Sequence, residues 1–306
     1  MRRLLLALFF FVSPLFAVEG PWHRVESAGQ VFEGRDSAEL AALAAFTRVS
    51  LPGLERSLGS GLAGPVRIVV LPADARSDAD LARLDGLAPP WAAGFALPGA
   101  RLVVLRKELS GRYPFSSLEE VLTHELAHVV LHDALPETDW PRWFDEAVAT
   151  RAGRAWEWRD RFALNGVLLS GTLPSLDELS RAFGRSGEEA GRAYAASFDF
   201  LEWARGEYGP ELVARLLRAR EGRSFEQAWG KVTGRSLAES EAAWRGGAAT
   251  LRRLFLAASS SSVTWGGLTA LFLLAVWRRR ARTREIEARW AAEEKPVELP
   301  VSEWVN

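Results

Sequence analysis

The chain has 306 residues, 48% apolar and 25% charged, a composition that supports a packed core and excludes disordered, collagen-like and low-complexity proteins. Its 38 basic and 39 acidic side chains leave a net charge of −1, which argues against a basic nucleic-acid binder. With no cysteine there is no disulfide framework, no thiol nucleophile and no cysteine metal site.

The first 17 residues have the layout of a secretory leader: Arg2 and Arg3, an apolar run from Leu4 to Val12, then Ser13, Pro14 and Ala17. The run is short for a membrane span, so cleavage near Ala17 is expected rather than retention as an anchor. From Trp22 to Phe32 apolar and polar residues alternate loosely, as in a first strand. Asp36, with Glu39 three residues on, opens a helix that runs to Leu58 and ends at the glycines from Gly59 to Gly64. Val66 to Leu71 is short and β-branched, a strand. Pro72 to Pro90 is polar and Asp-rich, a surface loop with one helical turn. Trp91 to Leu97 and Leu102 to Leu105 are two more strands, turned at Pro98-Gly99.

From Ser117 onward helical periodicity dominates. Ser117/Glu120, Ser175/Glu178, Ser224/Gln227 and Ser236/Glu239 each have capping-box spacing ahead of an amphipathic run. The expected fold class is α+β: a small N-terminal mixed sheet with a helix, then a mainly helical C-terminal lobe. Ala257 to Trp277 carries no charge, and Arg278, Arg279, Arg280, Arg282 and Arg284 follow directly. A stretch of about 20 such residues is long enough to span the hydrocarbon core, and arginines beyond it mark a cytoplasmic side. The expected organisation is a leader over 1–17, an exported domain over 18–254, one transmembrane helix over 255–277 and a charged tail over 278–306 without fixed structure. The expected setting is a bacterial cytoplasmic membrane, with the domain on its periplasmic or extracellular side and the C-terminus in the cytoplasm.

Three of the four histidines, His124, His128 and His132, fall close together, and His124-Glu-Leu-Ala-His128 is the HExxH pattern. Residues i and i+4 lie one turn apart on one helix face, so both imidazoles can converge on one tetrahedral metal. Glu125, roughly 100° round the helix from His124, can meet a water held by that metal. Zinc needs a third protein ligand and leaves a position for water. His132 lies a further turn along, too far to share a metal with His124, and is read as a polar residue at the helix end. Glu146 is the better candidate, on a second helix that Pro141 opens after a short loop. Its neighbour Asp145 must face a different way, either toward solvent or behind the ligands.

His124-Glu-Leu-Ala-His128 followed by Trp143-Phe-Asp-Glu-Ala-Val-Ala149 resembles the gluzincin zinc metallopeptidases, closest to the bacterial peptidase-MA-like group. Weaker matches lie downstream at Ala193-Tyr194-Ala-Ala-Ser197, Phe198 to Gly209, and Gly234 to Leu237 with Trp244. Others lie upstream at Trp91 to Ala96 and Leu102 to Leu105, so the resemblance runs from Trp22 to Gly246. It implies one zinc ion held by His124, His128 and Glu146, with Glu125 as general base. It also points to Tyr194 as the donor to the developing oxyanion; packing between helices, with its hydroxyl on a carbonyl, is the other reading of that residue. Ala93 to Leu97 is the candidate edge for a substrate added as an extended strand, a plain core strand being the alternative. Trp156 and Trp158 alternate in a way that suits a cleft lining. Two positions depart from the family: Ala147 stands where glycine is usual, and Thr150 where some members have an acid supporting the histidines.

The expected function is hydrolysis of peptide bonds in a peptide or protein substrate by a membrane-anchored zinc enzyme. An endopeptidase is expected rather than an aminopeptidase, because no acidic clamp for a free amino terminus is visible. The alternative is an inactive zinc-containing domain that binds peptides or proteins at the membrane surface. Glu125 argues against it, since a binding module needs no general base. An intramembrane protease is excluded by Glu119, Glu120 and Asp133 on the HExxH segment.

Overall fold

A computed structural model of the chain describes residues 21–112, 114–135, 140–154, 173–185, 187–258 and 261–293. The leader segment 1–17 and the pair Trp156 and Trp158 lie outside the described residues. The chain divides into two units, Met1–Ala248 and Ala249–Asn306.

The first unit begins with a hairpin where a single strand was expected. β1 (His23–Ser27) and β2 (Gln30–Gly34) pair antiparallel, turned at Ala28 and Gly29 with φ of 52° and 75°. Positive φ at both central positions matches the twist of the flanking strands. An alanine at the first of them hides this turn from sequence patterns built on Asn-Gly. α1 (Ser37–Leu58) is capped by Asp36, whose carboxylate accepts from the N–H groups of Ala38 and Glu39. It stops at Gly59, in the left-handed region at φ 71°. β3 (Arg67–Leu71) follows, then α2 (Ala79–Asp85) within the Asp-rich stretch, β4 (Gly94–Leu97) and β5 (Leu102–Arg106).

The sheet order is β1-β2-β3-β5-β4, with β2, β3 and β5 parallel and β1 and β4 antiparallel at the two edges. β3 and β5 are almost wholly apolar, as strands covered on both faces must be. Ile68, Val70, Val103 and Leu105 face the main core with α1 and α3 (Leu118–Ala134). Val69, Leu71 and Val104 face the other way, against Ala75, Leu81 and Leu84. Arg106 ends β5 as a buried anchor. It donates to Asp85 Oδ1 at 2.7 Å and to the carbonyls of Pro89 and Ala92 at 2.7 and 2.8 Å, fixing the chain that leads into β4.

The rest of this unit is helical. It contains α4 (Arg142–Gly153), α5 (Leu176–Ala182), α6 (Gly187–Tyr208), α7 (Leu212–Arg220), α8 (Phe225–Thr233) and the start of α9 (Leu237–Ala258). Aromatic rings fill its centre. Phe200 lies 5.0 Å from Trp143, 5.7 Å from Trp229 and 5.2 Å from Trp244 between ring centroids. The indole N–H of Trp229 donates to Ser240 Oγ and that of Trp244 to Asp199, so these buried tryptophans are satisfied.

In the second unit, α10 spans Ser261–Glu293. No helix among the described residues is long and apolar enough to cross a membrane, which overturns the transmembrane helix expected over 255–277. The reason is continuity. α9 ends at Ala258 and α10 begins at Ser261, so only residues 261–277 precede Arg278 within one helix. At about 1.5 Å per residue that is about 25 Å, short of a hydrocarbon core of about 30 Å. Serines, threonines and glycines dilute its hydropathy further. Residues 278–293, expected to lack structure, continue the same helix, in keeping with their alanine, arginine and glutamate content.

Candidate metal centre and adjoining cleft

α3 is buried along most of its length, with Val121, Leu122, Leu126 and Val129 in the core. Ser117 Oγ accepts from the Glu120 N–H at 3.3 Å, while the Glu120 carboxylate accepts from the N–H of Ser116 at 2.7 Å, one residue upstream of the expected box. This helix carries His124 and Glu125 into the interior, where they are 2% and 5% exposed. His124 and His128, one turn apart, bring their Nε2 atoms to 3.1 Å. α4 packs against α3 and supplies Glu146. Its Oε2 lies 3.4 Å from His124 Nε2 and 3.7 Å from His128 Nε2, and is buried without a hydrogen bond.

These three atoms form a triangle with edges of 3.1, 3.4 and 3.7 Å. A tetrahedral ion with ligand bonds of about 2.0–2.1 Å sets its ligand atoms about 3.4 Å apart. Two imidazoles and one carboxylate are also the donor set of an open zinc site. The residues therefore fit such an ion, with His124, His128 and Glu146 as the holding group. His132 stands outside it, with Nε2 3.6 Å from Asp145 Oδ2.

Of the two places expected for Asp145, toward solvent or behind the ligands, its carboxylate takes the second, while Glu146 faces the other nitrogen of the same ring. His128 lies between them. Its Nδ1–H donates to Asp145 Oδ1 at 2.8 Å, and its Nε2 faces Glu146. Two adjacent carboxylates can reach opposite nitrogens of one ring, which a count of helix faces does not reveal. Such a carboxylate behind a ligating imidazole fixes its tautomer and orientation.

His124 is positioned differently. Its Nδ1 is buried without a hydrogen-bond partner, as is the Oγ1 of Thr150. Glu146, Thr150 and Gly153 share one stripe of α4. A Cβ on Gly153 would stand 2.7 Å from the Glu120 carbonyl and 3.4 Å from His124 Cβ, so α4 presses directly on α3 at this point. Phe115 meets the imidazole edge-on, with centroids 4.8 Å apart, and Tyr194 lies at 6.1 Å. Packing holds this ring.

Protonation here is set by burial against the charges of close neighbours. Burial would lower His128, but the charge and hydrogen bond of Asp145, with Glu146 and Glu125 beyond, lift it to about 10. Burial holds His124 below the usual imidazole value although Glu146 opposes the shift. Burial also lifts Glu125 to about 8, against a lowering pull from His128. Burial opposes ionisation of Glu146 and Asp145 as well, yet the neighbouring histidines keep both below the ordinary carboxylate range.

Glu125 opens onto a cleft between the sheet edge and α6. Trp91, Ala93 and Gly94 line it from the β4 side, Gly187, Ala190 and Tyr194 from α6, and Phe115 also belongs to the lining. A Cβ on Gly94 would stand 2.7 Å from Val121 Cγ1 and 3.1 Å from Glu125 Oε1, so only glycine lets β4 pass this close over the acid. The sequence held that cue, a glycine inside a strand pattern. Tyr194 is half-buried, with its ring 4.9 Å from Phe183. Burial, then the charges of Glu146 and Glu125, push its phenol well above the ordinary value, so it keeps its proton.

An HExxH helix, a carboxylate from the next helix and an acid facing a cleft beside a sheet edge define a hydrolase-type candidate metal site. The chain belongs to the Peptidase MA superfamily, whose family model matches residues 53–249, 197 of its 306 residues. That membership makes it a peptidase-like hydrolase. No curated protein matches the chain.

Proposed function

We propose that the protein is a zinc-dependent peptidase of the gluzincin type, acting on internal peptide bonds. The observation that carries this reading is the triangle of His124, His128 and Glu146, with Glu125 on the cleft beside it. A zinc ion bound there would lower the pKa of a bound water and polarise the substrate carbonyl. Glu125 would accept a proton from the attacking water and pass it to the leaving amine. The proximity of a cation would bring Glu125 below its metal-free value of about 8 and leave it ionised for that task. Tyr194, protonated and on the same cleft, supplies an O–H donor to charge developing on the carbonyl oxygen. A peptide would lie along β4, using the unpaired backbone groups of that edge strand.

Glu125→Gln in the full chain tests the reading. Zinc content should remain at one per chain, while cleavage of a mixed peptide library falls by about 100- to 10,000-fold. A variant as active as its parent would sink the assignment of the base. Zinc retained undiminished by Glu146→Ala would sink the ligand set. A parent that holds zinc but cleaves no peptide would favour the alternative, a peptide-binding domain.

A further inference from the structure

One cationic side chain lies among the described residues that line the cleft, and the chemistry above does not use it. Arg112 sits on the loop between β5 and α3, on the same cleft as Glu125 and Tyr194. Its backbone is fixed at both ends. The Arg112 N–H donates to the Leu109 carbonyl at 3.1 Å, and the Arg112 carbonyl accepts from the Phe115 N–H at 2.9 Å. Phe115 is buried against His124, so the turn that carries Arg112 is tied to a residue of the metal centre.

The Arg112 side chain is exposed and has no carboxylate partner among the described residues. Other arginines nearby are engaged: Arg106 with Asp85, Arg142 with Glu146 and Arg192 with Glu188. The only other charged group on the described lining is Glu125. Of these two lining groups, a substrate carboxylate can pair with the guanidinium and not with the acid. A guanidinium presents a planar fork that matches a carboxylate in a two-point, charge-assisted pair.

We propose that Arg112 selects substrates bearing a carboxylate near the scissile bond, from an Asp or Glu side chain or from the substrate's own C-terminus. The proposal rests on the peptidase reading for its meaning, but its test does not need turnover. Full-length protein carrying Glu125→Gln is titrated with three fluorescent pools of octapeptides, identical except in one respect. One has Glu at the randomised positions and a C-terminal amide. The second has Gln and an amide. The third has Gln and a free C-terminal carboxylate.

At least one carboxylate pool should bind about tenfold tighter than the neutral pool, the scale of one charge-assisted pair. Which pool gains identifies the source of the carboxylate, and a gain confined to the free C-terminus would move the cleaved bond from the interior of the substrate to its end. Adding Arg112→Met should bring the ratio to about one, Arg112→Lys should keep part of it, and Arg112→Glu should reverse it. Added salt should erode the preference. Equal binding of all three pools, no binding of either carboxylate pool, or a preference that survives Arg112→Met overturns the proposal. An Arg112-dependent preference, together with an unsubstituted parent that holds zinc and hydrolyses no peptide, would overturn the peptidase reading and leave this one standing.

Discussion

His128 is gripped from both sides, by Asp145 at Nδ1 and by the ligand group at Nε2. Its pKa of about 10, above the unfolded value of about 6.5, means that in the metal-free protein the ring carries a proton at pH 7. Metal needs the neutral ring, so zinc uptake should release that proton, and apparent affinity should rise about tenfold per pH unit between 6 and 8. Calorimetry in buffers of different ionisation heat measures this directly, and an affinity flat over that range would refute it. Asp145→Asn keeps the shape but removes the charge. It should weaken zinc binding by about 10- to 100-fold with little effect on folding. At this scale the convergence of His124 and His128 with Glu146 was legible, because HExxH is a local pattern with one geometric meaning and Pro141 marks the start of the next helix. Which of its two expected places Asp145 takes was not legible, because that depends on where a ring from another helix falls. Thr150 was a visible departure, and the packing on His124 by Phe115 and by the close approach of α4 at Gly153 belongs to no sequence motif.

Among the elements, the parallel strands and α1 follow from runs of β-branched residues and from Asp36 and Gly59 as caps. The β1–β2 hairpin escaped because its turn residues carry no sequence hallmark. The uncharged stretch near the C-terminus misled because charge counts say nothing about where one helix ends and the next begins. Arg106 shows a third kind of hidden information. It looks like an ordinary strand-ending charge, yet it is buried and holds the approach to β4 through Asp85 and two carbonyls. Although burial opposes it, Arg76 and Arg106 hold the Asp85 carboxyl below its usual value. The stabilisation is therefore present above about pH 3.9, the ordinary aspartate value, and is lost as pH falls through the folded value beneath it. Asp85→Asn should lower the unfolding free energy by about 2 kcal/mol at pH 7. Urea melts should show the gap between variant and parent closing toward pH 3, and a gap independent of pH would rule the pair out as its cause.

At the scale of the first unit, the candidate metal centre joins two helices that already meet through apolar contact and the hydrogen bond from His128 to Asp145. α3 lies against the sheet and α4 against α6, so an ion on His124, His128 and Glu146 would tie the sheet layer to the helical layer. Zinc at a hundredfold excess over its Kd should add about 2.7 kcal/mol of stability. That corresponds to about 5–10 °C in Tm for a unit of this size. A thermal melt of the full chain with and without a chelator checks this, and coincident curves would count against the site.

The two borders of the sheet differ in one respect. β1 sets Arg24 and Glu26 outward, paired at 2.7 Å, and such charges deter another chain from joining. β4 reads Gly-Phe-Ala-Leu and carries no charge at all. The border suited to receive an extended peptide is therefore also the one without protection against a stray strand from an unfolded neighbour. On the proposed reading, access to the cleft and susceptibility to aggregation would reside in the same four residues, and a charge placed there to prevent the second would obstruct the first.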